Sequence, residues 1–294
     1  MKRKIICTNE DGMELVFSST FSPFLLESCD GIYSVQNNVT SSENTMTDGS
    51  TYQGSVTQMR NIVLTLRDRP DADHQANRMI LYNLFKPKAA GVFTYLENEA
   101  AESRSIDYYV ESVDIDGENR ARRATVSLLC PTPFFRGPSD LTVTMAGWKA
   151  QWEFPHEFQA VGEEFGTRIE EKLKTIDNTS AADNIGITVV ITASGPVVNP
   201  SIYHVEEGES ITVGTSAKKM EMAAGDKIVI TTETNNKHAY LIRGGVQKEV
   251  NEYLTEDSEF IQLQHGSNTL GYLAESGDDY MTVEVSYRYR YLGV

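Results

Sequence analysis

A strand stopped by two prolines divides this chain. In Val126 to Phe135 (Val-Ser-Leu-Leu-Cys-Pro-Thr-Pro-Phe-Phe), Ala124, Val126 and Leu128 alternate with Thr125, Ser127 and Leu129, the period of a half-buried strand. Pro131 and Pro133 each remove a ladder donor and fix φ, so the strand cannot continue. Residues before this stop include a segment of helical period, whereas residues after it are almost entirely strand-like. The reading is therefore two domains, 1–133 and 134–294, with Pro131 and Pro133 as the hinge. A length of 294 residues suits two cores of ordinary size.

The first half reads as strands around one helix. Met13 to Phe17 and Phe24 to Leu26 are short strands, and Ile62, Leu64 and Leu66 share one face of a third. Pro70 to Asp73 then opens a helix, with carboxylates where the macrodipole favours negative charge. Ala76, Met79, Ile80, Asn83 and Leu84 follow at helical spacing as its apolar face. After Gly91 come the strand Val92 to Leu96 and a hairpin that pairs Ile106–Val110 with Ala124–Leu129. Between Tyr33 and Gly54 lies a polar segment with Asp48-Gly49 as its turn signal. It is either a surface loop or an extended arm that orders against a neighbouring subunit.

The second half offers Leu141 to Met145, Ile187 to Ile191, Ile211 to Val213, Lys227 to Ile230, Tyr240 to Ile242, Met281 to Val285 and Tyr287 to Tyr291 as strands. Turn signals such as Gly195-Pro196, Asn199-Pro200 and Gly244-Gly245 fall between them, the pattern of a β-sandwich. Gly162 to Leu173 alone is helix-like, and its pattern suits an irregular loop equally well. The fold class is thus mainly β with one amphipathic helix.

Charge and cysteine usage narrow the function classes. With 26 basic against 42 acidic residues, the net charge of −16 argues against a surface that wraps nucleic acid. An acidic wall is still compatible with DNA sliding past without sticking. Cys7, Cys29 and Cys130 are widely spaced and lack metal-ligand spacing, so they read as small buried side chains. Lys2, Arg3 and Lys4 precede only Ile5, Ile6 and Cys7, too short for the apolar core of a signal peptide. Synthesis in a cytoplasm is the expectation, with no membrane insertion.

No catalytic or metal residues are assigned, and no cofactor is expected. His156-Glu157 begins a zincin motif, but Ala160 stands where its second histidine is needed. Asp114, Asp116 and Gly117 imitate part of a calcium loop, with the glycine two positions early and no closing glutamate. Trp148 and Trp152, near Phe154 and Phe158, form an aromatic cluster that either covers the sandwich or stacks on a glycan. A hydrolase has no motif in its favour.

Three blocks together resemble siphophage distal tail proteins. They are Asp48-Gly-Ser-Thr-Tyr-Gln-Gly-Ser55 followed by Arg60 to Leu66, Leu128 to Phe135, and the carboxyl end, Val285-Ser-Tyr-Arg-Tyr-Arg-Tyr-Leu-Gly-Val294 with the turns at 195–200 and 224–226. The resemblance implies a structural hub rather than an enzyme: a hexameric ring of amino-terminal domains continuing the tail tube, with a galectin-like or carbohydrate-module-like sandwich outside it. It implies as partners the tail tube protein, the tail-associated lysin or fibre hub, and a receptor-binding protein, in the virion's tail tip, with DNA passing through the lumen. Asp48, Gly49, Ser50, Tyr52 and Arg60 are the expected subunit-interface residues. The alternative is a carbohydrate-binding module that attaches the tip to host wall glycans through Trp148 or Trp152.

Overall fold

The first unit is a barrel whose interior is filled by one sequence-long set of alternating side chains. The computed structural model describes all residues except 1–2, 21–22, 47, 70–72, 99–101, 117–121, 151–165 and 183, and at 147–150 and 166–170 it describes the backbone alone. Two units form: Met1–Pro138 with Arg290–Val294, and Ser139–Tyr289. In the first, the strands are β1 (Lys4–Asn9), β2 (Glu14–Ser18), β3 (Phe24–Asp30), β4 (Asn37–Glu43), β5 (Ser50–Thr57), β6 (Arg60–Asp68), β7 (Ala90–Leu96), β8 (Arg104–Ile115), β9 (Arg123–Cys130) and β10 (Phe135–Arg136), with helix α1 at His74–Leu84. The order β8-β7-β1-β2-β3-β6-β9 returns to β8, closing a seven-stranded barrel.

Closure removes the free edges that an open sheet would expose. β6 and β9 pair over their whole length, from Arg60 opposite Cys130 to Arg67 opposite Arg123. Ile62, Leu64 and Leu66 therefore share the interior with Ala124, Val126 and Leu128. β1 lies between β2 and β7, and its Ile5 and Cys7 are fully buried. The sequence gives little sign of this strand, because only three apolar residues stand between a basic and an acidic run. On β7, Gly91 has no side chain for a reason: a Cβ there would lie 2.4 Å from the Tyr108 ring and 2.5 Å from the Thr8 carbonyl.

Helix α1 begins at Asp73, whose Oδ1 accepts from the backbone N–H of Gln75 and Ala76. Its inward residues are Asn77, Leu81 and Leu84, while Met79 and Tyr82 face outward. The periodicity is helical as read, but the buried stripe is turned from the expected face. Polar ties decide this phase. Asn77 donates from Nδ2 to Asp68 Oδ1 at 2.5 Å, and Asn9 Nδ2 reaches the carbonyls of Asn83 and Leu84. Phe85, just past the helix, then stacks on Phe17 at 6.2 Å inside the barrel.

Pro131 and Pro133 do end β9, yet the chain re-enters the same sheet at once. Phe135 is fully buried and pairs with Tyr291, while Arg136 pairs with Ser105 of β8. The prolines thus lie within the first unit, short of its boundary after Pro138, and do not sit at the point where the units divide. Residues 134–138 and 290–294, read with the second domain, belong to the first. Tyr287 to Tyr291, read as one strand, is split by this return.

The second unit is a sandwich of two sheets. Its strands are β11 (Leu141–Ala150), β12 (Gly166–Glu170), β13 (Leu173–Asn178), β14 (Asn184–Ala193), β15 (Val197–His204), β16 (Ser210–Thr212), β17 (Glu221–Met222), β18 (Lys227–Glu233), β19 (Asn236–Arg243), β20 (Val246–Glu249), β21 (Gln262–Gln264), β22 (Gly266–Ser276) and β23 (Met281–Tyr287). One sheet runs β12-β11-β23-β14-β18-β19-β20 with β21 on β14, and the other runs β13-β22-β15-β16 with β17 on β15. Gly166–Glu170 is a strand against β11, not the helix read around Gly162–Leu173, of which 162–165 lie outside the described residues. Alternation on β14, β18 and β23 buries Ile187, Val189, Ile191, Ile228, Ile230, Val283 and Val285.

Two titrating features follow from this packing. Burial pushes Cys29 and Cys130 up to about 12, and raises Cys7 as well, so all three thiols stay protonated in the fold. Native protein at pH 8 should leave all three unreactive towards a thiol reagent, and the three should react on denaturation. Because these folded values are raised, stability should decline as pH climbs from the ordinary thiol range near 8.5 towards 12. In the second unit, Asp226 accepts from Arg243 Nε at 2.9 Å and Nη2 at 2.7 Å, which lowers its carboxyl. That stabilisation is fully present above the ordinary carboxylate range and is lost as pH falls below it through the lowered value of the folded carboxyl. Because the Arg243 side chain is more than half exposed, solvent screens the pair, and Arg243→Ala should cost about 1 kcal/mol or less in denaturant unfolding at pH 7, and less still once Asp226 is protonated.

Candidate functional site

The expected interface residues converge on a β-hairpin arm and on the knot that anchors it. β4 and β5 form a two-stranded sheet separate from the barrel sheet, with Asn37 opposite Thr57 and Glu43 opposite Ser50. The polar stretch read as a loop or extended arm is thus regular strand. Its sequence has strand-forming residues at Val39, Thr40, Thr51, Tyr52 and Val56, but no face is apolar enough to give a period-two signal. Gly49, at φ +96°, sits in the turn before β5, a conformation an L side chain avoids. A bulge between Thr40 and Ser41 bends the ladder near Gly54.

Both faces of the arm are open. Tyr52 is 63% exposed, Val56 67% and Met46 96%, and Val39 is exposed too. Only local bonds decorate it: Tyr52 donates to Ser55 Oγ at 2.8 Å, and Thr51 to Asn44 Oδ1 at 3.2 Å. An isolated two-stranded hairpin is marginally stable in water. Asp48, Gly49, Ser50 and Tyr52 all lie on this arm, at its turn and along β5, so the structure brings four of the five expected residues together.

Arg60 is different. It lies at the root of the arm but is only 5% exposed. Its Nε donates to the Pro133 carbonyl at 3.0 Å, Nη1 to those of Gly31 and Ser34 at 2.5 and 2.8 Å, and Nη2 to that of Leu292. The guanidinium also lies 5.0 Å from the centre of the Phe135 ring. Burial lowers its pKa, without removing the charge of a group that stays protonated in proteins. Nearly all its donors are spent within its own unit, which corrects the expectation of a surface contact. A small cleft of about 110 Å³, lined by Val35, Gln36, Gln58 and Met59 beside Arg60 and Pro133, marks where the arm leaves the barrel. The Gln58 N–H donates to the Gln36 carbonyl at 2.9 Å and closes its base.

The remaining expected residues are not assembled into a site. Trp152 lies outside the described residues, and at Trp148 only the strand backbone of β11 is described. Among the described residues, no group of three or more His, Cys, Asp and Glu side chains could hold a metal ion. The loop at Asp114 and Asp116 runs into residues outside the description at Gly117. What the described residues offer here is an exposed two-stranded hairpin carrying Val39, Tyr52 and Val56 on its surface.

Residues 181–291 match the family model described as the siphovirus-type tail component, C-terminal domain. That match falls within the second unit except for its last two residues. Among solved structures, the SPP1 Dit (gp 19.1) protein superposes with a TM-score of 0.67 at 12% identity, over 97% of this chain and 98% of that one. That protein is described as a paradigm of hub adsorption apparatus in phages infecting Gram-positive bacteria. A chain of the phage P2 baseplate, in its activated conformation with Ca, gives 0.56 at 10% identity with full coverage of both chains. No curated protein sequence matches. At these identities the two structures establish the fold: the whole chain, barrel and sandwich, has the Dit architecture.

Replacing Arg60 tests the knot in this Dit fold. Arg60→Met should destabilise the first unit by about 3 kcal/mol in denaturant unfolding, because buried carbonyls lose a charged donor. Arg60→Lys should recover only part of the loss, since one ammonium cannot span donors arranged as a planar fork. Equal stability of all three proteins would show that these carbonyls are satisfied without the guanidinium.

Proposed function

We propose that the chain is the structural hub of a siphophage tail tip. The observation that carries this reading is the end-to-end likeness to a Dit hub protein, with the tail-component domain in the second unit. Six copies close into a ring built from the barrel unit and continue the tail tube. The sandwich unit anchors the host-adhesion or lysin apparatus, including a receptor-binding protein. The protein is made in the host cytoplasm and resides in the virion. Its work is geometric and non-catalytic: it matches symmetries and fixes positions.

Physical features of the barrel suit such a ring. A closed ring needs heterologous contacts, one surface of each subunit meeting a different surface of the next. The arm supplies a surface that is self-complementary with nothing in its own unit, and Val39, Tyr52 and Val56 are apolar enough to gain from being covered. Assembly would also offset the marginal stability of a two-stranded hairpin. The net charge of −16 suits a lumen past which DNA slips without binding.

Light scattering and negative-stain imaging of the full chain test this reading. Sixfold rings are expected at high protein concentration. Replacing residues 37–57 by a short Gly/Ser link should abolish rings while leaving the thermal transition of the barrel in place. A strict monomer at high concentration would remove the hub reading, and rings that persist without the arm would move the interface elsewhere.

A further inference from the structure

The arm has a tip and a root that match each other in size and polarity. At the tip, Met46 is 96% exposed in the turn between β4 and β5, with Asn44, Thr45 and Asp48 close by in sequence. At the root is the cleft of about 110 Å³, lined by Val35, Gln36, Gln58, Met59 and Pro133 beside Arg60. Its walls are fixed, because Arg60 donates to the Ser34 and Pro133 carbonyls and the Gln58 N–H to that of Gln36. Its apolar side chains are not covered: Met59 is 58% exposed and Val35 41%.

Tip and root cannot serve each other within one subunit. The seven residues of β4, paired along β5, hold the tip roughly 20 Å from the root at about 3.3 Å per residue. Folding Met46 back onto its own cleft would break that ladder.

We propose, building on the hub reading, that Met46 of one copy enters the root cleft of a neighbouring copy, between Val35, Met59 and Pro133. The size is right, since a dry cavity of about 150 Å³ takes a benzene-sized guest and this cleft suits one unbranched side chain. Methionine, with three rotatable bonds and a polarisable sulfur, adapts to an irregular apolar gap. Gln36 and Gln58 add exposed amides at the rim, which can both donate to and accept from the polar residues flanking Met46. Symmetry follows from the separation of the two features. Each pairing leaves a tip free at one end and a cleft free at the other, the head-to-tail contact that closes into a ring when the rotation allows. A small apolar molecule or the side chain of a different protein would fill the cleft but leave Met46 in water.

Burying one methionine side chain is worth about ten- to a hundredfold in an association constant. Met46→Glu should therefore raise the protein concentration at which rings half-form by about tenfold or more, with the thermal transition unchanged because the residue is exposed. Rings that form equally well with Met46→Glu would overturn the contact. Cross-linking of the full chain tests the pairing directly. With Met46→Cys and Met59→Cys in one protein, a short bis-maleimide at pH 7 should give a ladder of covalent species up to six chains. Either change alone should give no ladder, since the three native thiols are buried. Dimers as the largest species would overturn the head-to-tail pairing. Rings seen by light scattering in the same samples, but with no cross-link, would overturn the contact and leave the hub reading standing. Strict monomers would remove both.

Discussion

One buried guanidinium holds the first unit together where its chain segments would otherwise part. Arg60 is the first residue of β6, yet its donors reach the segment after β3, the proline-bounded link after β9 and the carboxyl terminus. Burying a cation is costly unless it is surrounded by acceptors, and here backbone carbonyls supply them. In exchange, four stretches far apart in sequence are fixed to one point. Among them is the carboxyl-terminal segment, whose return after the whole second unit brings Tyr291 beside Phe135 and under the Arg104 guanidinium, 3.6 Å from its ring centre.

That knot also defines what the arm can do. The barrel closes without the hairpin, and Arg60 fixes the residues at its root. The arm is therefore a rigidly anchored element with weak internal support, exposed apolar side chains and a left-handed glycine at its turn. Such an element loses little by being covered and gains area when it is. The barrel needs no neighbour to satisfy its strand edges. In the proposed ring, association would therefore fall to the arm.

The predicted features that were legible are those with strong local signals. A helix opening near Pro70 to Asp73, the pairing of β8 with β9, the turn at Asp48-Gly49 and the burial of all three cysteines follow from proline and carboxylate placement, alternation, glycine chemistry and thiol polarity, although the helix itself begins only after Asp73. What was not legible had competing local cues. Lys4–Asn9 is short and flanked by charge, so it did not read as a central strand. The face of α1 was misjudged because Asn77 is buried for its bond to Asp68, while Met79, apolar by any scale, faces outward. Arg60 looked like a surface arginine because nothing in its neighbourhood in sequence announces carbonyls brought from residues 31, 34, 133 and 292.

By itself, then, the sequence determined a mainly β chain with one amphipathic helix, an acidic surface and no catalytic motif, since alternation, capping residues and charge act over a few positions. Tertiary structure alone decided where the units divide. Two prolines can end a strand, but whether the chain then leaves its domain depends on whether a buried Phe135 and a returning Tyr291 complete the same sheet, and that pairing joins residues more than half the chain apart. It likewise decided that a polar stretch becomes a hairpin arm, and that Val35, Met59 and Pro133 line one cleft at its root, because those encounters are set by the path of the backbone and not by any neighbour in sequence.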